Sequence, residues 1–326
     1  MNAEYLRGKT VLITGGTGSF GQQFTETLFN DTPAKKIIIF SRDEFKQHEM
    51  RTRLKDSKDR LRFFLGDVRD LSRLERAFAG VDIVVHAAAL KQVPALEFNP
   101  LEAVKTNIIG TQNVIDAALD NGVGKVLLVS TDKAVNPINL YGATKLCAEK
   151  LLIAANAYRR TTRTPPSFSV VRYGNVIGSR GSFLEVLQEQ KKTGVVTLTH
   201  KDMTRFWITL SQAASLVLFA LAHMRGGEIF VPKLSAMKIA DLLSTHAPEC
   251  EVKIIGVRPG EKLHEMLMSQ DEARRAWELS NCYVIEPTHE WWDGTHLRKN
   301  KKVPEDFNYA SNKVSQLKEI KVPDFE

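Results

Sequence analysis

One stretch decides the fold: Thr10-Val11-Leu12-Ile13-Thr14-Gly15-Gly16-Thr17-Gly18-Ser19-Phe20-Gly21. Its apolar start predicts a buried strand, and Phe20, Phe24 and Leu28 then recur with helical spacing. The glycines between them permit a tight turn, close approach of the backbone to a pyrophosphate, and packing of the helix on a sheet. Free N–H groups at the helix N-terminus favour an anion. The stretch therefore predicts a dinucleotide site formed by Gly15, Thr17, Gly18, Ser19, Phe20 and Gly21.

Five further apolar segments follow, with room for a helix between them: residues 36–40, 61–65, 81–85, 126–129 and 167–171. A long helix is predicted over residues 101–119. This alternation of strands and helices predicts an α/β fold with a doubly wound parallel Rossmann sheet. Beyond it the pattern breaks into shorter pieces. We therefore expect a dinucleotide-binding domain over residues 1–172, to which later segments return, a smaller and mainly substrate-binding domain over 173–295, and a basic tail over 296–326.

The end of the second predicted strand bears on the type of dinucleotide. Ser41 and Arg42 stand about 20 residues past Gly21, where this fold contacts the adenosine ribose. A hydroxyl and a guanidinium suit a 2′-phosphate, whereas a carboxylate suits a free 2′-OH. We therefore predict NADP, and Asp43, which follows directly, keeps NAD as the alternative. The residues after the next two strands complete the predicted cofactor site: Asp67 as acceptor from the adenine amino group or as a cap, Val68, and the small Ala87 and Ala88.

Composition sets the class of protein. The chain has 326 residues, of which 43% are hydrophobic and 25% charged, as expected of a globular protein with a large core. Its longest apolar stretch, residues 214–222, is too short to span a bilayer, and no signal peptide precedes the first strand. These features predict a cytoplasmic protein without a membrane partner.

Cysteine and charge patterns exclude further classes. Three widely spaced cysteines indicate neither a disulfide framework nor a zinc site, and the eight histidines show no ligand spacing, so no metal is expected. The net charge of +7 suits anionic ligands, although part of the excess lies in the basic cluster at residues 298–302. Because that cluster lacks interleaved aromatic residues on an ordered face, no nucleic-acid partner is expected.

The segment after the fifth strand carries the candidate proton-transfer groups. Tyr141 and Lys145 stand four residues apart and share a helix face, where an ammonium near a phenol lowers the pKa of the phenol. Asp132 and Lys133 follow the strand directly, at the edge where open α/β sheets bind ligands, and could serve as acid and base. Both pairs also have an ordinary interpretation, the first as surface residues and the second as a solvated ion pair.

Three basic residues are candidates for binding phosphate. Lys91 follows the fourth strand and could meet a phosphate or sugar, or could be an exposed loop lysine. Arg180 and Arg258 could hold a diphosphate, since a guanidinium binds phosphate oxygens bidentately. Either arginine could equally form an ion pair between domains.

Several motifs together resemble the extended short-chain dehydrogenases/reductases that act on nucleotide sugars. They are the glycine-rich stretch 14–21, Tyr141-Gly142-Ala143-Thr144-Lys145 and Arg172-Tyr173-Gly174-Asn175-Val176, and the likeness covers nearly the whole chain. Within that family the chain resembles the configuration-inverting UDP-N-acetylglucosamine 4,6-dehydratases of pseudaminic acid synthesis, which serves flagellin glycosylation. This second resemblance rests on residues 130–134 and 136–139, with 41–44, 203–206 and 258–262.

The resemblance implies a mechanism without net oxidation. Tyr141, supported by Lys145, takes the C4 hydroxyl proton while hydride passes from C4 to NADP, giving a 4-keto sugar. Lys133 in its neutral form then removes the acidified C5 proton, and Asp132 protonates the departing C6 hydroxyl. This step requires a lowered pKa for Lys133 and a raised pKa for Asp132. Hydride returns to C6, and protonation of C5 from the opposite face inverts that centre.

The resemblance also implies binding roles and an assembly. Thr131 hydrogen-bonds the sugar near C4, Asn175 and Val176 contact phosphate or sugar, and Arg258 with Glu261 holds the uridine diphosphate; the motif at 203–206 adds Thr204. Related enzymes form homodimers through the helices near residues 101–119 and Tyr141, and this branch often forms hexamers.

The pair at 132–133 separates the possible activities. In retaining dehydratases of the family this pair is Asp-Glu, and in 4-epimerases the residues are small or carry hydroxyls, whereas this chain has Asp132-Lys133. The alternatives that remain are a 4-epimerase, an inverting dehydratase of another amino-sugar pathway, and a noncatalytic NADP-binding protein on the same fold.

Overall fold

The computed structural model describes residues 3–158, 166–289 and 292–317, so residues 318–326 of the predicted tail lie outside it. The strands are β1 (Thr10–Thr14), β2 (Lys36–Ser41), β3 (Leu61–Leu65), β4 (Ile83–His86), β5 (Lys125–Thr131), β6 (Ser167–Tyr173), β7 (Asn175–Ile177), β8 (Val195–Leu198), β9 (Thr204–Thr209), β10 (Ile229–Pro232), β11 (Ala236–Lys238), β12 (Glu251–Ile254), β13 (Met266–Met268), β14 (Ala276–Glu278), β15 (Cys282–Ile285), β16 (Lys301–Lys302) and β17 (Tyr309–Ala310).

The helices alternate with the strands in the first half of the chain. They are α1 (Ser19–Asp31), α2 (Glu44–Leu54), α3 (Leu71–Phe78), α4 (Val93–Phe98), α5 (Pro100–Ala103), α6 (Gly110–Asp120), α7 (Leu140–Ala154), α8 (Phe183–Lys191), α9 (Leu210–His223), α10 (Ile239–His246) and α11 (Gln270–Ala273). In the described ranges, no helix is both long and apolar enough to cross a bilayer.

A ten-stranded sheet forms the centre of the molecule. Its order is β16-β14-β15-β10-β6-β5-β4-β1-β2-β3. The seven strands from β10 to β3 are parallel, and β15, β14 and β16 add an antiparallel edge. The predicted doubly wound Rossmann sheet is confirmed. Four strands from beyond residue 172 join this sheet, while the division of the chain into domains remains a prediction.

The sheet is buried on both faces because its strands are apolar at successive positions. Leu12 belongs to one core cluster, with residues of α3, α6 and α7, whereas Val11 and Ile13 belong to the other, with residues of α1 and α9. Burial of each such side chain contributes about 1.5–3 kcal/mol. A third cluster, around Leu184, Leu187 and Val196, forms a separate core in the later part of the chain.

The helix predicted over residues 101–119 differs from the observed one. It starts as α5, widens into a π-helical stretch over Val104–Ile109, and continues as α6. Asn107, within the wide stretch, accepts a hydrogen bond from the Leu90 N–H at 2.8 Å and donates to the Leu90 carbonyl and the Thr144 hydroxyl. The wide turn thus ties the loop after β4 to α7, consistent with the frequent occurrence of such turns near functional sites.

Candidate active site

A cavity of about 1100 Å³ opens at the carboxyl ends of the parallel strands. This is the edge at which open α/β sheets bind ligands. The following predicted site residues line it: Gly15, Thr17, Gly18, Ser19, Phe20, Gly21, Ser41, Arg42, Asp43, Asp67, Val68, Ala87, Ala88, Lys91, Thr131, Lys133, Tyr141, Lys145, Asn175, Val176 and Arg180. Four others do not: Asp132, Thr204, Arg258 and Glu261.

The glycine turn after β1 fits a dinucleotide. Gly15 has a φ of +67°, and a Cβ there would lie 2.9 Å from the backbone of Ala88. A Cβ on Gly21 would lie 2.5 Å from the Gly15 carbonyl, so the helix can approach the turn only with glycine there. Gly18 precedes α1 and offers no side-chain cap, which leaves the first N–H groups of the helix to bind an anion.

The end of the cavity that is predicted to hold adenosine contains cations and a carboxylate that is already paired. Asp43 caps α2 by accepting from the Lys46 N–H at 3.0 Å, and its carboxylate pairs with the Lys46 ammonium at 2.5 Å. Hydrogen bonding to Lys46 holds the pKa of Asp43 below its ordinary value. The Ser41 hydroxyl accepts from Gln47 at 3.0 Å. Arg42, half exposed, lies 3.6 Å from Asp67 and retains donors for another anion.

The chain turns sharply where β5 ends. Thr131 is followed by a 3-10 turn over Asp132–Ala134, and its hydroxyl accepts from the Lys133 N–H at 3.3 Å. The same hydroxyl donates to Asp132 Oδ1 at 3.0 Å, and Lys133 Nζ donates to Oδ1 at 3.0 Å. Neighbours on a continuing strand would point to opposite faces. The turn instead brings the two side chains together, with Asp132 fully buried and Lys133 on the cavity wall.

A second buried carboxylate joins this pair. Glu265, 2% exposed, places Oε1 3.3 Å from Lys133 Nζ, and its Oε2 lies 3.8 Å from Lys262 Nζ. We call Asp132, Lys133 and Glu265 the Lys133 cluster. The sequence analysis assigned Glu265 no role. The sequence signal for Glu265 was its place in the charged run 258–265. More than a hundred residues separate Glu265 from Lys133, so only folding brings the two side chains together.

The charges in the Lys133 cluster are unequal. Burial raises the pKa of Asp132, in the predicted direction. Burial would lower the pKa of Lys133, but Asp132 and Glu265 outweigh it and raise that pKa, opposite to the prediction of a neutral lysine. Burial would likewise raise the pKa of Glu265, yet Lys133, Arg205 and Lys262 hold it below its ordinary value. Lys133 is therefore an ammonium in the resting protein.

Tyr141 and Lys145 stand on α7 as predicted, but the pKa of Tyr141 differs from the prediction. Burial raises the pKa of Tyr141 to about 12. The groups that work against this rise are the Lys133 ammonium and a hydrogen bond with Thr131. Lys145 Nζ instead donates to the Val129 carbonyl at 2.9 Å, and burial lowers the pKa of Lys145 to about 8. The expected lowering of the Tyr141 pKa is wrong because burial dominates.

A second buried ionic group connects α7 to β6 and α11. Arg172, on β6, is 1% exposed and binds both oxygens of Glu149 on α7, the shortest contact being 2.6 Å. It also donates to both oxygens of Glu272, on α11, at 2.8 and 3.0 Å. The Ser130 hydroxyl completes the group by donating to Glu149 at 2.5 Å. We call Arg172, Glu149 and Glu272 the Arg172 cluster.

The remaining candidates lie in different surroundings. Thr204 is buried, with its hydroxyl 2.8 Å from His264 Nδ1 and 2.7 Å from the Ser311 hydroxyl. Arg258 is exposed, and Glu261 lies 3.4 Å from Arg205 Nη2. None of these three reaches the cavity wall.

Two loops meet across the mouth of the cavity. Lys91 donates to the Arg180 carbonyl at 2.9 Å, and the Arg180 N–H donates to the Ser19 hydroxyl at 3.0 Å. The segment at Arg180 therefore connects the loop after β4 with the glycine turn.

The sequence model of the polysaccharide biosynthesis protein family matches residues 11–287. The chain belongs to this family. It is a branch of the extended short-chain dehydrogenases/reductases, so the family resemblance predicted from the motifs is confirmed.

The relatives of this chain include proteins named as dehydratases and proteins named as epimerases. A protein of Campylobacter jejuni named UDP-N-acetylglucosamine 4,6-dehydratase (inverting) is 47% identical over 318 residues, which cover 95% of this chain and 94% of that protein. A protein of Rickettsia canadensis named UDP-glucose 4-epimerase is 45% identical over 287 residues, 85% and 82% of the two chains. The X-ray structure of Pen from Bacillus thuringiensis superposes with a TM-score of 0.87 at 36% identity, covering 96% and 95%.

Proposed function

We propose that the protein is a UDP-N-acetylglucosamine 4,6-dehydratase that inverts C5, giving UDP-2-acetamido-2,6-dideoxy-β-L-arabino-hex-4-ulose. The observation that carries the proposal is the turn after β5, which pairs a buried acid with an amine that lies beside Tyr141 on the cavity wall. An epimerase needs no such pair, because it leaves C5 and C6 untouched. The relative from Campylobacter jejuni, named for this activity, supports the proposal.

The proposed cofactor is NADP. Arg42 and Lys46 line the adenosine end of the cavity, while Asp43 is occupied in capping α2, so cations are better placed than a carboxylate to meet a ribose substituent. The bound nicotinamide would supply the acceptor and the donor of hydride. Denaturing the purified protein and identifying the released nucleotide tests this choice: we expect NADP, and NAD alone would contradict it.

Tyr141 is the proposed base for the C4 hydroxyl. With its pKa raised to about 12, the phenol is protonated at neutral pH and needs help to ionise. Thr131 and the Lys133 ammonium both favour the phenolate, so the residues that act later on C5 and C6 also assist the first proton transfer. Lys145 is proposed to hold the end of β5 in place through its bond to Val129.

Lys133 and Asp132 are the proposed base and acid at C5 and C6. Lys133 starts as an ammonium, and Asp132 Oδ1 lies 3.0 Å from Nζ. Transfer of one proton along this bond gives a neutral amine and a carboxylic acid; the raised pKa of Asp132 favours that acid, whereas the raised pKa of Lys133 opposes the transfer. The amine then takes the C5 proton, and the acid protonates the departing C6 hydroxyl. The proton count balances, and one water leaves.

The other assignments follow from the cavity. Asn175, Val176, Lys91 and Arg180 are proposed to contact the UDP-sugar, and residues 173–295 to form most of its binding domain. We retain Arg258 and Glu261 as candidates for the uridine diphosphate end, and we assign Thr204 no direct contact. A homo-oligomer, either a dimer or a hexamer, in the cytoplasm completes the proposal, with a product of the kind that pseudaminic acid synthesis consumes.

Mass spectrometry of the product separates the two activities named among the relatives. The protein is incubated with UDP-N-acetylglucosamine without added reductant. A nucleotide sugar lighter by one water is the expected product. A product of unchanged mass with inverted C4 would favour the 4-epimerase suggested by the Rickettsia relative, and no turnover of any UDP-sugar would favour a binding protein.

A further inference from the structure

Lys133 stands between two carboxylates, and this arrangement determines where its third N–H points. An ammonium has three donors and no acceptor. Two of the Nζ contacts are Asp132 Oδ1 at 3.0 Å and Glu265 Oε1 at 3.3 Å, both on side chains that do not line the cavity. Lys133 itself does line it. The remaining N–H is the one that can face the substrate.

The same geometry orients the neutral amine. After one proton has passed from Nζ to Asp132, rotation about the Cε–Nζ bond places the two remaining N–H groups on Asp132 and Glu265, and the lone pair then takes the third direction, toward the cavity. With Asp132 as the sole acceptor, the amine could rotate about its bond to Cε and turn the lone pair away. The second carboxylate therefore adds direction as well as charge.

Glu265 is held rigidly for this task. Its backbone N–H donates to the buried Ser311 hydroxyl at 3.0 Å, and that hydroxyl lies 2.7 Å from the hydroxyl of Thr204. The Ser311 N–H in turn donates to the Glu265 carbonyl at 2.8 Å. Oε2 of Glu265 has no hydrogen-bond partner within the described ranges. Thr204, which the sequence analysis placed in the substrate site, thus belongs to the support behind Glu265.

The charges around the pair come from several elements. Glu265 faces Lys133 and Asp132 after β5, Arg205 on β9 and Lys262 on its own loop. Lys133 faces Asp132, Glu265 and Arg205, and its charge also acts on Tyr141 of α7 and on Lys91. Three cations act on Glu265, whereas in the described part of the chain two, Lys133 and Lys262, act on Asp132. Among the two acids, Glu265 is the one placed to remain a carboxylate.

We propose that Glu265 is a positioning residue of the proton-transfer site: its buried carboxylate holds the amine of Lys133 so that the lone pair faces the sugar, and it leaves Asp132 as the acid that exchanges a proton. This inference deepens the proposed dehydratase function and rests on it. It assigns Glu265 no contact with substrate.

Two replacements of nearly equal size separate direction from charge. Glu265→Gln keeps an acceptor oxygen and removes the charge, whereas Glu265→Met keeps neither. We expect Glu265→Met to lower kcat about 100-fold, at the lower end of general-base effects, with KM within about twofold of wild type. Glu265→Gln should lose less activity. The rising limb of its rate profile should shift to lower pH because the Lys133 ammonium gives up its proton more easily. A Glu265→Met enzyme with kcat within about twofold of wild type overturns the proposal, as does equal loss in both variants without a pH shift.

A second measurement does not depend on turnover. Trace acetylation of lysines, followed by mass spectrometry, reports the neutral fraction of Lys133 relative to the exposed Lys58. Loss of one opposite charge at this distance lowers a lysine pKa by about one unit or more, so Lys133 in Glu265→Gln should react about tenfold faster than in wild type. Glu278→Gln is the matched control, because it removes a carboxylate that pairs with two other lysines, Lys233 and Lys301. It should leave the Lys133 rate within about twofold.

The two readouts keep the proposals apart. If wild type yields no dehydrated product, the proposed function fails, and acetylation still decides whether Glu265 sets the charge of Lys133. If product forms but the Lys133 rate is the same in folded Glu265→Gln as in wild type, the role of Glu265 fails alone. Should Glu265→Gln not fold, Glu265→Asp takes its place, with a smaller increase expected and an unchanged rate counting against the proposal.

Discussion

The Lys133 cluster and the Arg172 cluster have the same formal composition, one cation between two carboxylates, and both are largely buried. They differ in how fully their hydrogen bonds are made. Arg172 donates to all four oxygens of Glu149 and Glu272. In the Lys133 cluster, Asp132 Oδ2 and Glu265 Oε2 have no hydrogen-bond partner within the described ranges.

This difference separates a structural ion network from a chemical one. A guanidinium stays charged and binds carboxylates in a fixed fork, whereas an amine can give up a proton. The Arg172 cluster connects α7, β6 and α11 and does not line the cavity, whereas Lys133 does. We infer that the first cluster keeps the second in place, since Glu149 and Tyr141 stand on the same helix.

Removing Lys133 should give the largest effect of these changes, and this effect should be on catalytic activity. We expect Lys133→Met to lower kcat about 10³-fold through loss of the base. Stability should fall by less than about 2 kcal/mol, because Asp132 can take up a proton and Glu265 keeps Lys262 and Arg205 nearby. Steady-state kinetics and urea unfolding measure the two quantities. A retained kcat, or a stability loss equal to that of Arg172→Met, would remove the distinction between the clusters.

Removing Arg172 should chiefly affect stability. Arg172→Met leaves Glu149 buried without its counter-ion, and breaking such a pair costs about 3–5 kcal/mol in unfolding free energy. We expect the folded fraction to lose less than about tenfold in kcat. The double variant with Glu149→Leu is the control, since removing the stranded charge should restore part of the stability. Stability unchanged in Arg172→Met would show that the network adds nothing to the fold.

One carboxylate from each cluster, Glu272 and Asp132, should respond to pH with opposite sign. The pKa of Glu272 is held below its ordinary value: burial opposes this, but Arg172 outweighs it. Its stabilising contribution is present above the unfolded pKa and is lost as pH falls through the folded pKa. Burial raises the pKa of Asp132, so its contribution is present below the unfolded pKa and is lost as pH rises through the folded one.

Each unit of pKa difference corresponds to about 1.4 kcal/mol. Unfolding free energies measured across the acid range should therefore show that Glu272→Gln flattens the loss of stability toward low pH. Asp132→Asn should instead raise stability toward neutral pH relative to wild type. The same pH response in both variants would contradict the assigned charges.

The start of α7 should give the smallest effect. Asn139 caps this helix by accepting from the Gly142 N–H at 2.8 Å, and it donates to the Gly260 carbonyl at 2.8 Å. We expect Asn139→Ala to cost about 1 kcal/mol in thermal unfolding, with kcat reduced less than tenfold. Asn139→Asp keeps the cap and loses the bond to Gly260, so it should recover most of the stability. A loss of stability in Asn139→Asp as large as that in Asn139→Ala would instead assign the role to the bond with the Gly260 carbonyl.

Sequence patterns predicted the parts of the fold that depend on local order. Periodicity and spacing predict six of the seven parallel strands, the glycine turn, and the positions of Tyr141 and Lys145 on one helix. The π-helical stretch at Val104–Ile109 does not, since it depends on bonds from Asn107 to Leu90 and Thr144.

Charge states and distant partners could not be predicted in the same way. Local spacing placed Lys145 as the group that tunes Tyr141, but burial and Lys133 determine the pKa of that phenol. Glu265 meets Lys133 only in the folded chain. The pKa of Lys133 moved opposite to the prediction because the second carboxylate was unforeseen.

The central claim is that Lys133 and Asp132 act on C5 and C6 of a UDP-sugar. Its most direct test is incubation with UDP-N-acetylglucosamine in D₂O, followed by NMR of the product. We expect a 6-deoxy-4-keto sugar of L-arabino configuration with deuterium at C5, and no such product from Lys133→Met. An intact C6 hydroxyl, or protium retained at C5, would contradict the account.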